Sequence, residues 1–300
     1  MRAIVVGASG FGRIHVRELL RSGIQSLDIV GSTCESAQIT ARQLSEIYQL
    51  EIAGFDSFDS ALESACDVVS ICVPAHLHAH YLEKLAALDC GVLCEKPFIW
   101  SANQTILNLE RQLLNLAGLQ GRLSVNYCNS YYMRQALALM PQNEIIETVS
   151  LCFHTNGQHR NSDIGIDLLP HALSALQQIT NVENISSVDI RCSHNKYQCY
   201  FFADKIQCHF EFEQSADINK RFSIRLNDRN FVRDARIVGG IYETGLLDQK
   251  SNVRFDMIDP TRQLISSFVQ AIRSGLAPPM DFRFAAKNTL LMHEIINHGK

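Results

Sequence analysis

The chain has 300 residues, 46% of them hydrophobic and 19% charged, and a formal net charge of −4. That is enough apolar material for one large domain or two medium ones with real cores, and with no basic block it excludes a nucleic-acid partner. The apolar run in MRAIVVGASGFG is too short for a signal peptide, and no stretch approaches the ~18 apolar residues of a membrane span, so a cytoplasmic protein with no membrane partner is expected.

The first 127 residues alternate between apolar runs and amphipathic segments. AIVVG (3–7) leads through a glycine turn into a helix ending near Ser22-Gly23. LDIVG (27–31), a helix over about 36–48, a short IAGF and a helix around 59–64 follow. DVVSICV (67–73) closes at Pro74, a helix spans about 76–88, and VLCE (92–95) precedes a helix over about 101–117 and the strand LSVNY. Strands that are apolar throughout, alternating with helices, predict a parallel sheet covered on both faces, in a doubly wound Rossmann arrangement.

After about residue 128 the pattern changes. A helix near 131–139, a strand in EIIETVSLCFHTN and a helix over 163–179 precede the runs VDIRC, QCYFF, IQCHFEF, FSIRL and NFVRDARIVG. Two helices, PTRQLISSFVQAIRSG and FAAKNTLLMHEIINH, close the chain. Strands in succession with helices before and after predict an α+β domain with a mostly antiparallel open sheet. The predicted organisation is therefore a dinucleotide-binding domain over 1–127 and a second domain over 128–300. The ten cysteines show no CxxC and lie mostly in apolar runs; they read as buried free thiols, with no zinc site and no other metal expected.

Gly7-Ala8-Ser9-Gly10-Phe11-Gly12 follows the first strand and opens the first helix. A dinucleotide loop places glycine first, third and sixth. Here Gly7 and Gly12 fit, and Ser9, small and followed by Gly10, still lets backbone N–H groups approach a pyrophosphate at the helix N-terminus. The second strand carries no acid at its tip; it ends in Ser32 and Thr33. Without a carboxylate there, a 2′-phosphate is not repelled and two hydroxyls can donate to it, which favours NADP over NAD, with Arg13 or Arg42 left to reach the phosphate. The competing reading is that Ser32-Thr33 is only a turn.

The succession from Gly7 to His15, then VPAHLH (73–78), a helix, and GVLCEKP (91–97) resembles the Gfo/Idh/MocA family of nicotinamide-dependent oxidoreductases. The resemblance implies a Rossmann domain followed by an α/β domain whose open sheet builds a homodimer or homotetramer. It implies that Glu95 and Lys96 belong to the nicotinamide pocket, that Lys96 is catalytic, and that Phe11, Val73, Pro74, His78 and Asn129 line the cofactor site. The family's helical Asp-x-x-x-His signature reads Asp167 to His171 here, two side chains on one helical face, with Pro170 between them expected to bend the helix.

Hydride transfer needs the reacting carbon held against the nicotinamide and a proton moved. The resemblance therefore implies His171 as general acid/base, Lys96 as the group stabilising negative charge on the reacting oxygen, and Asp167 as the residue orienting the proton network. His15 reads as a packing residue, while Tyr131, Tyr132, His159, Arg160 and Trp100 are secondary candidates for the site. The expected substrate is a small polar molecule such as a sugar or cyclitol. Two alternatives remain at this point: reduction of a C=N bond or a tetrapyrrole-like compound, and a non-catalytic nucleotide sensor that keeps the glycine loop without needing proton-transfer groups.

Overall fold

The computed structural model describes residues 1–102, 104–239 and 241–298. They form two compact units. The first joins Met1–Asn126 to Thr261–Lys287, and the second joins Tyr127–Pro260 to the chain from Asn288 onward.

The first unit begins β1 (Arg2–Val6), α1 (Gly12–Arg21), β2 (Ser26–Val30), α2 (Cys34–Tyr48), β3 (Gly54–Phe55), α3 (Phe58–Ala61), β4 (Val68–Ile71), α4 (His78–Leu85), β5 (Gly91–Cys94), α5 (Ile106–Asn115) and β6 (Leu123–Val125). The six strands form a parallel sheet in the order β3-β2-β1-β4-β5-β6. Every residue of β4 and β5 is buried, as apolar runs sandwiched between two helical layers require. The helix expected from Ser101 begins at Ile106, where Thr105 accepts from the Asn108 amide and caps it; Asn103, inside that expectation, lies outside the described residues. Strand order reverses between β1 and β4, the place where open α/β sheets leave a crevice at their carboxyl ends.

The second unit contains α6 (Ser130–Leu139), β7 (Thr148–Thr155), α7 (Ser162–Leu176), β8 (Ile185–Ser193), β9 (Lys196–Ala203), β10 (Ile206–Gln214), β11 (Arg221–Leu226), β12 (Arg229–Val238), β13 (Ile241–Asp248) and β14 (Val253–Met257). The sheet runs β14-β13-β12-β11-β7-β10-β9-β8. All neighbours are antiparallel except β7 and β10. Alternation separates two faces. Val149, Leu151, Cys199, Phe201, Phe210 and Phe212 are buried on the face packed by α7, while Cys152, His154 and Glu211 lie half-buried on the other. β13 and β14 extend the sheet beyond the strands predicted from sequence. Gly245 interrupts the apolar run of β13, and charged residues alternate through VRFDM, so neither segment reads as a buried strand.

The last helices, α8 (Pro260–Arg273) and α9 (Phe282–His298), part company with a contiguous division at 127/128, because Thr261–Lys287 counts with the first unit. The contacts explain it. Gly91 lies so close to Ile272 that a Cβ would sit 2.6 Å from its side chain. Phe282 packs edge-on to Phe98 with centroids 5.9 Å apart, and the Val125 amide donates to Met280 O at 3.1 Å.

Candidate functional site

The register of the parallel sheet gathers the predicted loop residues. Val6 pairs with Val30 and with Ile71, and Ile71 pairs with Cys94. The ladder continues one residue past the strand ends: Gly7 N to Val30 O at 2.9 Å, Cys72 N to Val6 O at 2.8 Å, Glu95 N to Ile71 O at 2.9 Å and Asn126 N to Cys94 O at 2.8 Å. Gly7–Gly12, Ser32-Thr33, Val73-Pro74 and Glu95-Lys96 therefore all follow directly on adjacent strands at one edge of the sheet.

The glycine loop has the shape a pyrophosphate needs. Gly7 has φ +83°, and a Cβ there would lie 2.8 Å from Cys72 O; a Cβ on Gly12 would strike Gly7 O. Only glycine tolerates both positions. Above the loop the space is open, since a Cβ on Gly10 would meet nothing within 4 Å. Among the described residues, the amides of Ser9, Gly10 and Phe11 donate to no protein acceptor. Donors without partners at the N-terminus of the ten-residue α1 suit an anion, so the residues present fit a dinucleotide phosphate.

At the second strand, Asp28 is held by the Arg2 guanidinium at 2.6 and 3.0 Å and takes no part at the tip. Ser32 and Thr33 are exposed, but Thr33 is the N-cap of α2. Its hydroxyl accepts from the Ser36 amide and donates to Ser36 Oγ at 3.0 Å. The turn reading thus describes much of what Thr33 does, and Ser32 is the less committed hydroxyl. Arg13 donates to Gln43 on α2, while Arg42 reaches Gln38 O at 3.4 Å.

Below the loop lies a buried polar chain that sequence reasoning missed. His15, expected to be a packing residue, is fully buried. Its Nδ1 meets Ser70 Oγ at 2.8 Å and its Nε2 meets Glu95 Oε1 at 2.8 Å. Asn126 Nδ2 donates to the same carboxylate oxygen at 2.6 Å. Burial by itself lowers the His15 pKa, but Cys72 and Glu95 outweigh it and push it up to about 10. Burial would raise the Glu95 pKa, yet the His15 cation, the Asn126 hydrogen bond and the Lys96 ammonium hold it below the usual carboxylate range. The result is an imidazolium–carboxylate pair that ties α1 to the strand end carrying Lys96. Glu95 is thus a supporting residue as well as a predicted member of the pocket. Eighty residues separate the pair in sequence, so no local spacing signals it.

His78 departs from its expected place on the cofactor surface. It is fully buried, with Nε2 2.9 Å from Val73 O and Nδ1 2.8 Å from Pro97 O. Burial lowers its pKa in spite of the carbonyls at both nitrogens, so the ring is neutral and donates from one nitrogen. It braces the VPAHLH turn against the EKPF turn; Val73 and Pro74 remain accessible at the loop.

In the second unit, α7 carries Asp167 and His171 four residues apart, both half-buried. The helix continues through Pro170. Pro170 has no N–H to give the preceding turn, and its carbonyl accepts from Asn288 Nδ2 at 3.1 Å. Gln214, at the end of β10 and buried, donates to Asp167 Oδ2 at 2.6 Å and accepts from the His159 amide at 2.9 Å. Gly157 makes room for it, since a Cβ there would strike Gln214. The Phe153 ring stands edge-on to His171 at 5.9 Å.

The remaining candidates divide. Asn129 is buried at the start of α6. Tyr132 is a core residue bonded to Thr244 Oγ1 at 2.8 Å, and Tyr131 packs under Arg134. His159 is exposed, Arg160 donates to its carbonyl, and Trp100 is half-buried.

These features define a dinucleotide-binding α/β fold. Residues 1–127 match the family described as "Oxidoreductase family, NAD-binding Rossmann fold", GFO_IDH_MocA. An uncharacterized oxidoreductase of Bacillus subtilis (strain 168), YrbE, is 25% identical over 101 residues, which cover 34% of this chain and 29% of that protein. Two solved structures share the fold over nearly the whole length. UDP-N-acetylglucosamine 3-dehydrogenase GnnA from Acidithiobacillus ferrooxidans has a TM-score of 0.74 at 17% identity, covering 99% of this chain and 97% of that one. The 3-ketoreductase KijD10 from Actinomadura kijaniata, in complex with NADP and TDP-benzene, has a TM-score of 0.75 at 15% identity, covering 99% and 97%. No described helix is long and apolar enough to cross a membrane.

Proposed function

We propose that the chain is a nicotinamide-dependent oxidoreductase that moves hydride between NAD(P) and a hydroxyl-bearing carbon, or its carbonyl, in a small polar substrate of sugar type. The observation that carries this reading is the glycine cradle with undonated amides, followed on the adjacent strands by the Glu95-Lys96 turn. NAD(P), when bound, supplies the hydride acceptor or donor. Residues 1–127 hold the cofactor, with the amides of Ser9, Gly10 and Phe11 on its pyrophosphate. The chain from 128 holds the substrate and forms the homo-oligomer through the eight-stranded sheet. Lys96, positioned by the His15–Glu95 pair, stabilises negative charge on the reacting oxygen. His171 gives or takes the proton at that oxygen, and Asp167, fixed by Gln214, orients it. Sugar-modifying neighbours such as the UDP-N-acetylglucosamine dehydrogenase support the substrate class.

The test combines binding and turnover. Cofactor titration with thermal melting shows saturable stabilisation, larger with NADP than with NAD. Screening sugars and keto-sugars then finds a turned-over substrate. Lys96→Ala and His171→Ala each lower turnover by about 10²–10⁴-fold with cofactor affinity retained. Unchanged turnover in both variants sinks the assignment of roles, and no stabilisation by either cofactor sinks the whole reading.

A further inference from the structure

The polar face of the eight-stranded sheet carries a second cluster of chemistry, built on different elements from those already described. Cys152 and His154 are two apart on β7 and project from the same face. Parallel pairing places Glu211 of β10 directly beside Cys152. The ligating atoms converge: Cys152 Sγ is 3.2 Å from His154 Nε2, which is 3.4 Å from Glu211 Oε1, and all three lie within 4.8 Å of one another.

From this geometry we infer that Cys152, His154 and Glu211 form a binding site for one thiophilic divalent cation of the zinc type, clipping β7 to β10. A tetrahedral zinc with Zn–S about 2.3 Å and Zn–N or Zn–O about 2.0–2.1 Å separates sulfur from nitrogen by about 3.5 Å and nitrogen from oxygen by about 3.3 Å. The sulfur–nitrogen and nitrogen–oxygen separations need only a few tenths of an ångström of adjustment. One thiolate, one imidazole and one carboxylate are a donor set that suits zinc and leaves a fourth position open to water. The carboxylate is already oriented for the task. Its other oxygen, Oε2, accepts from Gln198 Nε2 at 2.7 Å and from Lys196 Nζ at 2.8 Å, leaving Oε1 turned to His154. Outer contacts of this kind fix a ligand's geometry. On binding, the Cys152 S–H bond breaks, its proton passes to solvent and the sulfur–metal bond forms. The thiolate and the carboxylate bring two negative charges to the dication, with the Lys196 ammonium beside the carboxylate.

The full chain, stripped of metal by a chelator, tests this with Co²⁺ followed by absorption and Zn²⁺ followed by calorimetry. One equivalent binds, with a thiolate-to-cobalt charge-transfer band. Cys152→Ser abolishes that band. His154→Gln and Glu211→Gln weaken binding at least tenfold, whereas Cys192→Ser, which removes an exposed thiol elsewhere, changes neither property. Absence of the band in the unaltered chain overturns the inference. So does its survival in Cys152→Ser, or, if that variant does not fold, unaltered affinity in both His154→Gln and Glu211→Gln.

Discussion

The two sheets solve the same problem of hiding a pleated surface in opposite ways, and that decides where each keeps its chemistry. The parallel sheet is covered on both faces; β4 and β5 are buried at every position. A polar side chain on such a sheet needs a buried partner, as Ser70 of β4 has in His15, and the loop groups gather at the carboxyl edge, where Gly7, Cys72 and Glu95 continue the ladder. Among the described residues, α7 packs on one face of the eight-stranded sheet. Its other face is free to carry Cys152, His154, Lys196, Gln198 and Glu211. A sheet with two covers concentrates function at its ends, and a sheet with one cover spreads it across a face.

The comparison breaks most readily at the His15–Glu95 pair, where charge lies deep in the doubly covered unit. Glu95→Leu leaves an imidazole buried without its counter-ion and is expected to cost about 3–5 kcal/mol, read as a lower urea midpoint with unchanged slope. Its pH profile carries the sign. The His15 pKa rises from 6.5 to about 10 in the folded chain, so its contribution is complete below pH 6.5 and is lost as pH climbs towards 10. Glu95 is depressed below its ordinary 4.5, so its contribution is complete above pH 4.5 and is lost as pH falls through its folded value. In Glu95→Leu the alkaline loss moves to lower pH, because the Glu95 part of the rise is gone while the Cys72 part remains. An identical alkaline limb in both proteins contradicts the pair.

The next effect is at the edge itself. Gly12→Ala drives a Cβ into Gly7 O, a backbone atom that cannot swing aside. It is expected to cost about 3 kcal/mol and to abolish cofactor-dependent melting shifts. Retained shifts would mean that the loop is not the phosphate cradle. The smallest effect sharpens the other side. Gly165→Ala, on α7, places a methyl 2.5 Å from the Tyr197 ring, an overpacking worth about 1–3 kcal/mol by denaturant titration, with cofactor binding unchanged.

What could be read from the residues follows the same divide. Continuous apolar runs such as VVSICV announce a buried parallel strand, and GASGFG announces the turn after it. β13 and β14 escaped because Gly245 and the charges of Arg254 and Asp256 break the apolar pattern at the sheet's margin. Asp167 and His171 are legible as an i, i+4 pair, but Gln214, which holds Asp167, lies 47 residues on. The capping duty of Thr33 was also hidden, since Ser36 three residues later looks like any helix serine. Likewise Glu211 is 57 residues from His154. A search for closely spaced ligands finds no metal centre there, because only strand pairing joins the donors.

The return of α8 bears on how this protein can be cut. Its Rossmann half takes in a segment made more than 130 residues after β6 ends, so a fragment stopping at 127 would leave Gly91 without Ile272 and Val125 N without the Met280 carbonyl. Engineers wanting a stand-alone nucleotide module would have to splice 261–287 directly onto residue 126. On the ribosome, the nascent nucleotide half must likewise wait until residue 287 has been made before its last layer arrives.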